Sequence, residues 1–543
     1  MNFVRTTNSR DTIRLTGAVY TPDVVANALT DYVAPLLPHG SLRVLEPSVG
    51  DGAFLRSVGS LQRDLVFVGV DINSDVIDQL TNESESSLVD AAFYCEDFLT
   101  VACQNTKAGE PLFDLIIGNP PFIRKHNFSE SFKNSLKFFA DEYGYPLKDL
   151  KNSWAAFLIA SSELVADDGV VAFVIPYELI TVEYGHKALM HLSKKFSRID
   201  LFISDEKAFP EIDQDAIIFV GRKKTKGRSG ILIQRVSSMS SLDRSCEYYV
   251  ESTTDGSLAL ELNGFLLGSE GLPFLRQIRN KTKTVGDFCS SSPGIVTAAN
   301  DFFILPEAKA KELSIREFTI PVLKKGSFST RFPIFTSSEF DRISKREPCR
   351  MLRIGGHRKD LSPRVVHYIE DGEKRGLQNR YKCRNRRNWY EVPIVERAPA
   401  FFFKRSHEYP RLCINEADVY ITDTAYGLRL RGDATVRGLC FSFYNSLTLL
   451  FAETDGRFYG GGVLELSPSE FRRLPLVYHE PSEYEFNEFL YVHRNAKGDI
   501  FPILDFGDRW LMEDLKLNDT DINTLRSAWS SVRSHRLRHG RAK

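Results

Sequence analysis

Apolar residues run along the chain in short, β-branched blocks at 42–45, 65–72, 91–95, 112–117, 170–176, 199–203 and 216–220, bounded by Gly, Pro or acidic residues. Blocks of that length and composition read as buried strands. Between them lie stretches with apolar residues at helical spacing, such as Val24, Val25, Ala28, Leu29 and Val33, and the stretch 154–165. Thr21-Pro22 ahead of the first stretch predicts an N-cap followed by proline at the first helical position. Asp167-Asp168-Gly169 predicts a turn into the fifth strand. Strands alternating with helices predict an α/β fold, a seven-stranded, mostly parallel, Rossmann-like sheet whose strand tips form a ligand crevice.

Four successive tips carry the chemistry. After the first strand comes Glu46-Pro47-Ser48-Val49-Gly50-Asp51-Gly52, a glycine-bearing turn into a helix. Its glycines let a ligand approach the backbone closely. Its two carboxylates, Glu46 and Asp51, unaccompanied by a P-loop Lys or Thr, repel a pyrophosphate and favour the ammonium and sulfonium of S-adenosylmethionine. Asp71, followed by Ile72, ends the second strand and is placed to accept both ribose hydroxyls. At the third tip Asp97 is placed to accept from the adenine amino group, and Phe98 to pack on its ring. Any one of these acids alone reads as a strand-end cap; three in succession point to a shared ligand. The fourth tip is Gly118-Asn119-Pro120-Pro121-Phe122. Consecutive prolines fix φ and remove two donors, so their carbonyls and the Asn119 side chain stand as rigid acceptors beside the Phe122 ring. Acceptors aimed at one point next to an aromatic face suit a planar group with an exocyclic amine, as in a nucleobase.

Taken in order, Thr21-Pro22, Glu46 to Gly52, Asn119 to Phe122 and the long region that follows resemble the γ-type amino-group (N6-adenine) DNA methyltransferases, with the match running over residues 17–222. The second half is similar to members of that family in type II restriction-modification systems at 293–303, 387–393 and 459–468. The resemblance implies methyl transfer from S-adenosylmethionine to N6 of adenine in double-stranded DNA, with the base flipped out of the helix. Asn119 and the Pro120 carbonyl would accept the amino hydrogens, Pro121 would stiffen the turn, Phe122 would stack on the base and Phe209 would pack against it. Cofactor contacts would come from Thr21, Glu46, Ser48, Gly50, Asp51, Asp71, Ile72, Asp97, Phe98 and Asn119. Most relatives carry Tyr where this chain has Phe122, a change that keeps the stacking and loses a hydroxyl. N4-cytosine transfer, whose enzymes more often have Ser in place of Asn119, stays open as an alternative. So do an RNA or protein-glutamine methyltransferase and a non-catalytic DNA-binding or specificity subunit. The implied partner is a cognate restriction endonuclease encoded nearby, since a fused nuclease needs a substantial domain ahead of Thr21; a monomer is expected.

At 543 residues the chain exceeds a single core, and its charge is unevenly divided. Residues 1–220 hold 18 Lys+Arg against 31 Asp+Glu, and the remainder 52 against 40. A basic second half implies a polyanion-binding surface. The expected layout is a catalytic domain over 1–225, an α+β DNA target-recognition region over 226–515 and a basic tail over 516–543. Within the second region Arg380, Lys382, Arg384, Arg386 and Arg387 lie close to Trp389 and Tyr390, the composition for phosphate contact with base stacking. Phe401-Phe402-Phe403 reads as a core strand, and the Arg-rich tail as a disordered arm or an auxiliary phosphate contact. The 8 cysteines include no Cys-x-x-Cys pair, so neither a zinc site, nor any other metal, nor a disulfide framework is expected. No segment reaches the length of a membrane span and no apolar signal core opens the chain, which predicts a cytoplasmic protein.

Overall fold

The computed structural model describes residues 20–84, 90–108, 112–207, 215–250, 258–268, 270–459 and 461–538. The chain forms two compact units, one comprising Met1–Leu272, Tyr459–Gly462 and Ser534–Lys543, the other Pro273–Phe458 and Val463–Arg533.

The first unit is built on β1 (Leu42–Glu46), β2 (Leu65–Asp71), β3 (Asp90–Cys95), β4 (Phe113–Gly118), β5 (Val165–Pro176), β6 (Arg198–Ser204), β7 (Ala216–Arg222), β8 (Gly230–Val236) and β9 (Arg244–Tyr249). They pair in the order β3-β2-β1-β4-β5-β7-β6-β8-β9. The sheet is therefore nine-stranded and mixed rather than seven-stranded and mostly parallel. From β3 to β5 all neighbours are parallel, whereas β7 runs antiparallel to both β5 and β6. β8 joins the far side of β6 in parallel, and β9 closes the edge antiparallel. These two strands follow the Lys- and Arg-rich turn after β7, which on composition alone looks like a linker. The expected domain boundary at 225 consequently falls inside the sheet. The predicted turn at 167–169 is also absorbed: β5 continues through it, and its pairing with β4 shifts register between Phe113 and Leu115.

Helix α1 (Asp23–Val33) begins one residue later than its sequence signal, with Pro22 rather than Thr21 at the N-cap. The Pro22 carbonyl accepts from Val25 N and Ala26 N at 2.9 and 3.1 Å, so the proline supplies the acceptor that starts the helix. Val25, Ala26 and Leu29 of α1 join Val44, Leu115, Ile117 and Val174 in one buried cluster. Each buried Val, Leu or Ile among them contributes roughly 1.5–3 kcal/mol by leaving water, which fixes the strands whose tips matter below.

The second unit is α+β. Its main sheet runs Cys289–Pro293, Ala425–Leu430, Ala400–Phe403, Leu412–Asn415, Ile334–Phe335. Phe401, Phe402 and Phe403 are fully buried in it, as their apolar run predicts. Most of the basic tail is ordered: Asp519–Leu537 is a helix with Trp529 fully buried. Its Arg526 is paired with Asp505 and Asp508 at 2.6 and 3.0 Å. The Arg526 charge, which reads as part of a free arm, is thus spent on internal ion pairs. Among the described residues no helix is long and apolar enough to cross a membrane.

Candidate active site

β1 and β4 are neighbours, yet the chain leaves β1 toward β2 and β3 and leaves β4 toward β5. Their carboxyl ends flank the reversal of strand order, where open α/β sheets hold ligands. The turn after β1 enters α2 (Ala53–Gly59) through Gly50 and Gly52, at φ of +50° and +74°. A Cβ on Gly52 would stand 2.8 Å from the Leu80 side chain and displace it, so the left-handed conformation favours glycine there and the packing adds to it. Asp71, at the tip of β2, braces this turn: one carboxylate oxygen accepts from Gly50 N at 3.1 Å and the other from Asn73 N at 3.0 Å. Ile72 beyond it is 66% exposed. Arg56 ties the turn to α1, pairing with Asp23 at 2.8 Å and donating to the Asp51 carbonyl at 2.5 Å.

Glu46 is 2% exposed, and its Oε2 has no hydrogen-bond partner among the described residues. Burial, reinforced by the Asp51 and Asp71 carboxylates and opposed by Arg56, pushes its carboxyl well above the usual range. A buried acceptor left unmatched costs on the order of 1–3 kcal/mol, a cost that a cationic or donor-bearing ligand removes. This acid-lined glycine turn fits the ammonium-bearing cofactor expected from the sequence. Asp97 has a double duty: one oxygen accepts from Leu99 N at 2.9 Å, capping α3 (Phe98–Ala108), and burial raises its carboxyl. Phe98 departs from expectation. As the first residue of that helix it points inward, 2% exposed, with its ring 4.9 Å from that of Phe157, and belongs to the core rather than to a ligand face.

The Asn119–Phe122 segment is held from two sides. Ser48 Oγ donates to the Asn119 carbonyl at 3.0 Å, joining the glycine turn to the motif, and a Cβ on Gly118 would lie 3.5 Å from Glu46 Cγ. On the other side stands Ser153, fully buried at the start of α4 (Ser153–Leu164), a helix buried on nearly every face. Its hydroxyl donates to the Pro121 carbonyl and accepts from Ile123 N at 2.9 Å, while its own N–H donates to the Ile123 carbonyl at 2.9 Å. The carbonyls before and after Pro120 are both tied, which fixes the plane of the peptide between them. Ser153 is the residue that sequence reasoning missed; its signal is Asn152-Ser153 standing directly before an apolar helix. Pro120 is buried, and Asn119, Pro121 and Phe122 are half-buried. Phe209 lies outside the described residues.

Two family models match this chain: the Eco57I restriction-modification methylase over residues 62–209, and the C-terminal domain of type II methyltransferase M.Eco57I over residues 262–512. The chain belongs to the type II restriction-modification methyltransferases. Type II methyltransferase M.AccI of Acinetobacter calcoaceticus is 22% identical over 84% of each chain, and M.XamI of Xanthomonas campestris pv. amaranthicola 23% identical, again over 84% of each. Among solved structures, that of a DrdV–DNA complex is similar over 89% of this chain and 58% of its own, at 11% identity and a TM-score of 0.49.

In the second unit of this methyltransferase the expected DNA-binding stretch divides in two. Arg380, Lys382, Arg384 and Arg387 are exposed. Arg386, Trp389 and Tyr390 are structural. The Arg386 guanidinium donates to the carbonyls of Val296, Thr297 and Trp389 at 3.0, 2.9 and 3.2 Å. The Trp389 ring packs 5.5 Å from Phe302, and Tyr390, 5% exposed, donates to the Gly356 carbonyl at 3.1 Å. Residues 293–303 and 386–390, remote in sequence, form one packed block, so Trp389 and Tyr390 serve its core.

Proposed function

We propose that this methyltransferase transfers a methyl group from S-adenosylmethionine to the N6 amino group of adenine in duplex DNA, on a base flipped out of the helix, and so protects that DNA from a cognate restriction endonuclease. The observation that carries the reading is the double tether on Asn119-Pro120-Pro121-Phe122, with Ser48 on one side and Ser153 on the other, next to buried Glu46. When bound, the cofactor supplies an electrophilic methyl on a sulfonium. Glu46 meets its positive charge, Asp71 the ribose hydroxyls and Asp97 the adenine amine, while exposed Ile72 covers the adenine ring. Asn119 and the Pro120 carbonyl accept the two hydrogens of the target amine, drawing its lone pair out of conjugation and toward the methyl. Phe122 stacks on the flipped base and Phe209 packs against it. The nitrogen loses its proton readily once it carries the methyl, so positioning and electrostatics do most of the catalysis. Arg380, Lys382, Arg384 and Arg387 supply phosphate contacts. Asn119→Ala tests the reading: turnover on duplex DNA should fall by about 100-fold or more, the scale of losing one aligned polar contact in a transition state. Near-normal turnover would overturn it.

A further inference from the structure

The second unit also displays positive charge away from the 380–387 stretch. A cleft of about 650 Å³ is lined by Lys325, Arg331, Lys404, Arg405 and Arg411, with Ser327, Ser329, Ser406 and Thr424 among them. A second cleft of about 730 Å³ carries Arg342, Arg494 and Lys497, and Arg331 lines both. The two are therefore adjacent, with Arg331 between them. All of these residues lie within the second unit.

What these cations are bonded to decides what they are for. Lys404 and Arg405 share Glu465, at 3.2 and 2.5 Å, and are largely neutralised. Arg411 donates instead to the carbonyls of Thr330 and Gly326 at 2.7 and 2.8 Å, and Arg331 to that of Gly498 at 2.8 Å. A carbonyl fixes a guanidinium without cancelling its charge. Lys325, Arg494 and Lys497 are exposed, and none of these five cations is ion-paired to a carboxylate among the described residues. Hydroxyl donors beside full, pre-positioned charges match phosphate oxygens. A single small anion cannot occupy cations spread over two clefts. A duplex, with one negative charge per about 1.7 Å of its axis, can.

We propose that this double cleft, running from Lys325 through Arg331 to Lys497, is the principal surface by which the second unit grips the sugar-phosphate backbone of duplex DNA. The proposal rests on the DNA-modifying reading above and adds a larger surface to the contacts that reading gives to the 380–387 stretch.

The test is equilibrium binding of a labelled duplex by full-length protein across a series of salt concentrations, for wild type and for the Lys325→Glu/Lys497→Glu double variant, with melting temperature and cofactor binding recorded alongside. Affinity should drop about tenfold or more, and the slope of log affinity on log salt should flatten by about two, one for each lost phosphate contact. Should the reversals unfold the protein, Lys325→Gln/Lys497→Gln gives the same slope change without like-charge repulsion. Unchanged affinity and slope in a folded variant would overturn the proposal, as would equal loss of binding to a single-stranded RNA of the same length. The two readings fail separately: a wild type that binds duplex through these lysines but yields no N6-methyladenine refutes the reaction and leaves the surface standing.

Discussion

The strand-tip motif and the arginine-rich stretch at 380–390 both stand out in the sequence, but for different physical reasons. Asn119-Pro120-Pro121-Phe122 is defined by backbone constraint: two fixed φ angles and two missing donors dictate where its acceptors point, and the fold adds tethers from Ser48 and Ser153. The 380–390 stretch is defined by composition alone, and composition does not say whether a guanidinium meets solvent or a carbonyl. Arg386 meets three carbonyls. Lys382, four residues earlier, is exposed. Local stiffness thus transfers from sequence to structure far better than local charge does.

The sharpest way to press that comparison is Ser153→Ala. The variant leaves the Ile123 N–H and the Pro121 carbonyl without their buried partner, a loss of roughly 1–3 kcal/mol. Turnover should fall about tenfold or more while the dissociation constant of the cofactor stays within about twofold, as separate single-turnover and binding measurements would show. A purely structural serine would lower the melting temperature and leave turnover per folded molecule intact.

Next in size is Glu46→Gln. Because burial raises the Glu46 carboxyl well above its usual range, the group is neutral in acid and ionises as pH rises through that raised value. Affinity for a cationic cofactor should therefore increase with pH over that interval and then level off, and titration calorimetry at several pH values should find the dependence absent in Glu46→Gln. The sign for folding is opposite. A raised carboxyl contributes stability that is complete below its unfolded value and is lost as pH climbs through its folded value, so the ligand-free Gln variant should lose less stability than wild type toward neutral pH.

Arg386→Ala and Lys382→Ala form a smaller, paired test of the second region. The first removes hydrogen bonds to three carbonyls and should destabilise the second unit by roughly 2 kcal/mol, with little change in DNA affinity below the melting transition. The second should leave stability within about 0.5 kcal/mol and weaken DNA binding slightly, by one phosphate contact. The reverse pattern would return Arg386 to the DNA surface. Smallest of all, Phe98→Leu should cost about 1–2 kcal/mol of core packing and leave cofactor affinity unchanged, since the ring lies against Phe157.

The seven expected strands and the four tips were legible because short apolar blocks ending in Gly, Pro or acid leave few alternatives. β8 and β9 were hidden behind a basic turn that resembles a linker, and the insertion of β7 between β5 and β6 was invisible because strand order is set by packing rather than by local pattern. In the site, Glu46, Asp71 and Asn119 stand at adjoining tips as their positions predict. Phe98 was misread because its neighbour Asp97 ends the tip and starts a helix, turning the next side chain inward. The double cleft went unread since it gathers residues near 325, 405 and 495, a proximity that no local window contains.

The central claim is tested most directly by incubating the purified protein with S-adenosylmethionine and unmethylated duplex DNA, digesting to nucleosides and identifying the product by mass spectrometry. N6-methyladenine, absent from an Asn119→Ala control, is the predicted result. N4-methylcytosine, or no modified nucleoside from protein that binds the cofactor, would contradict it.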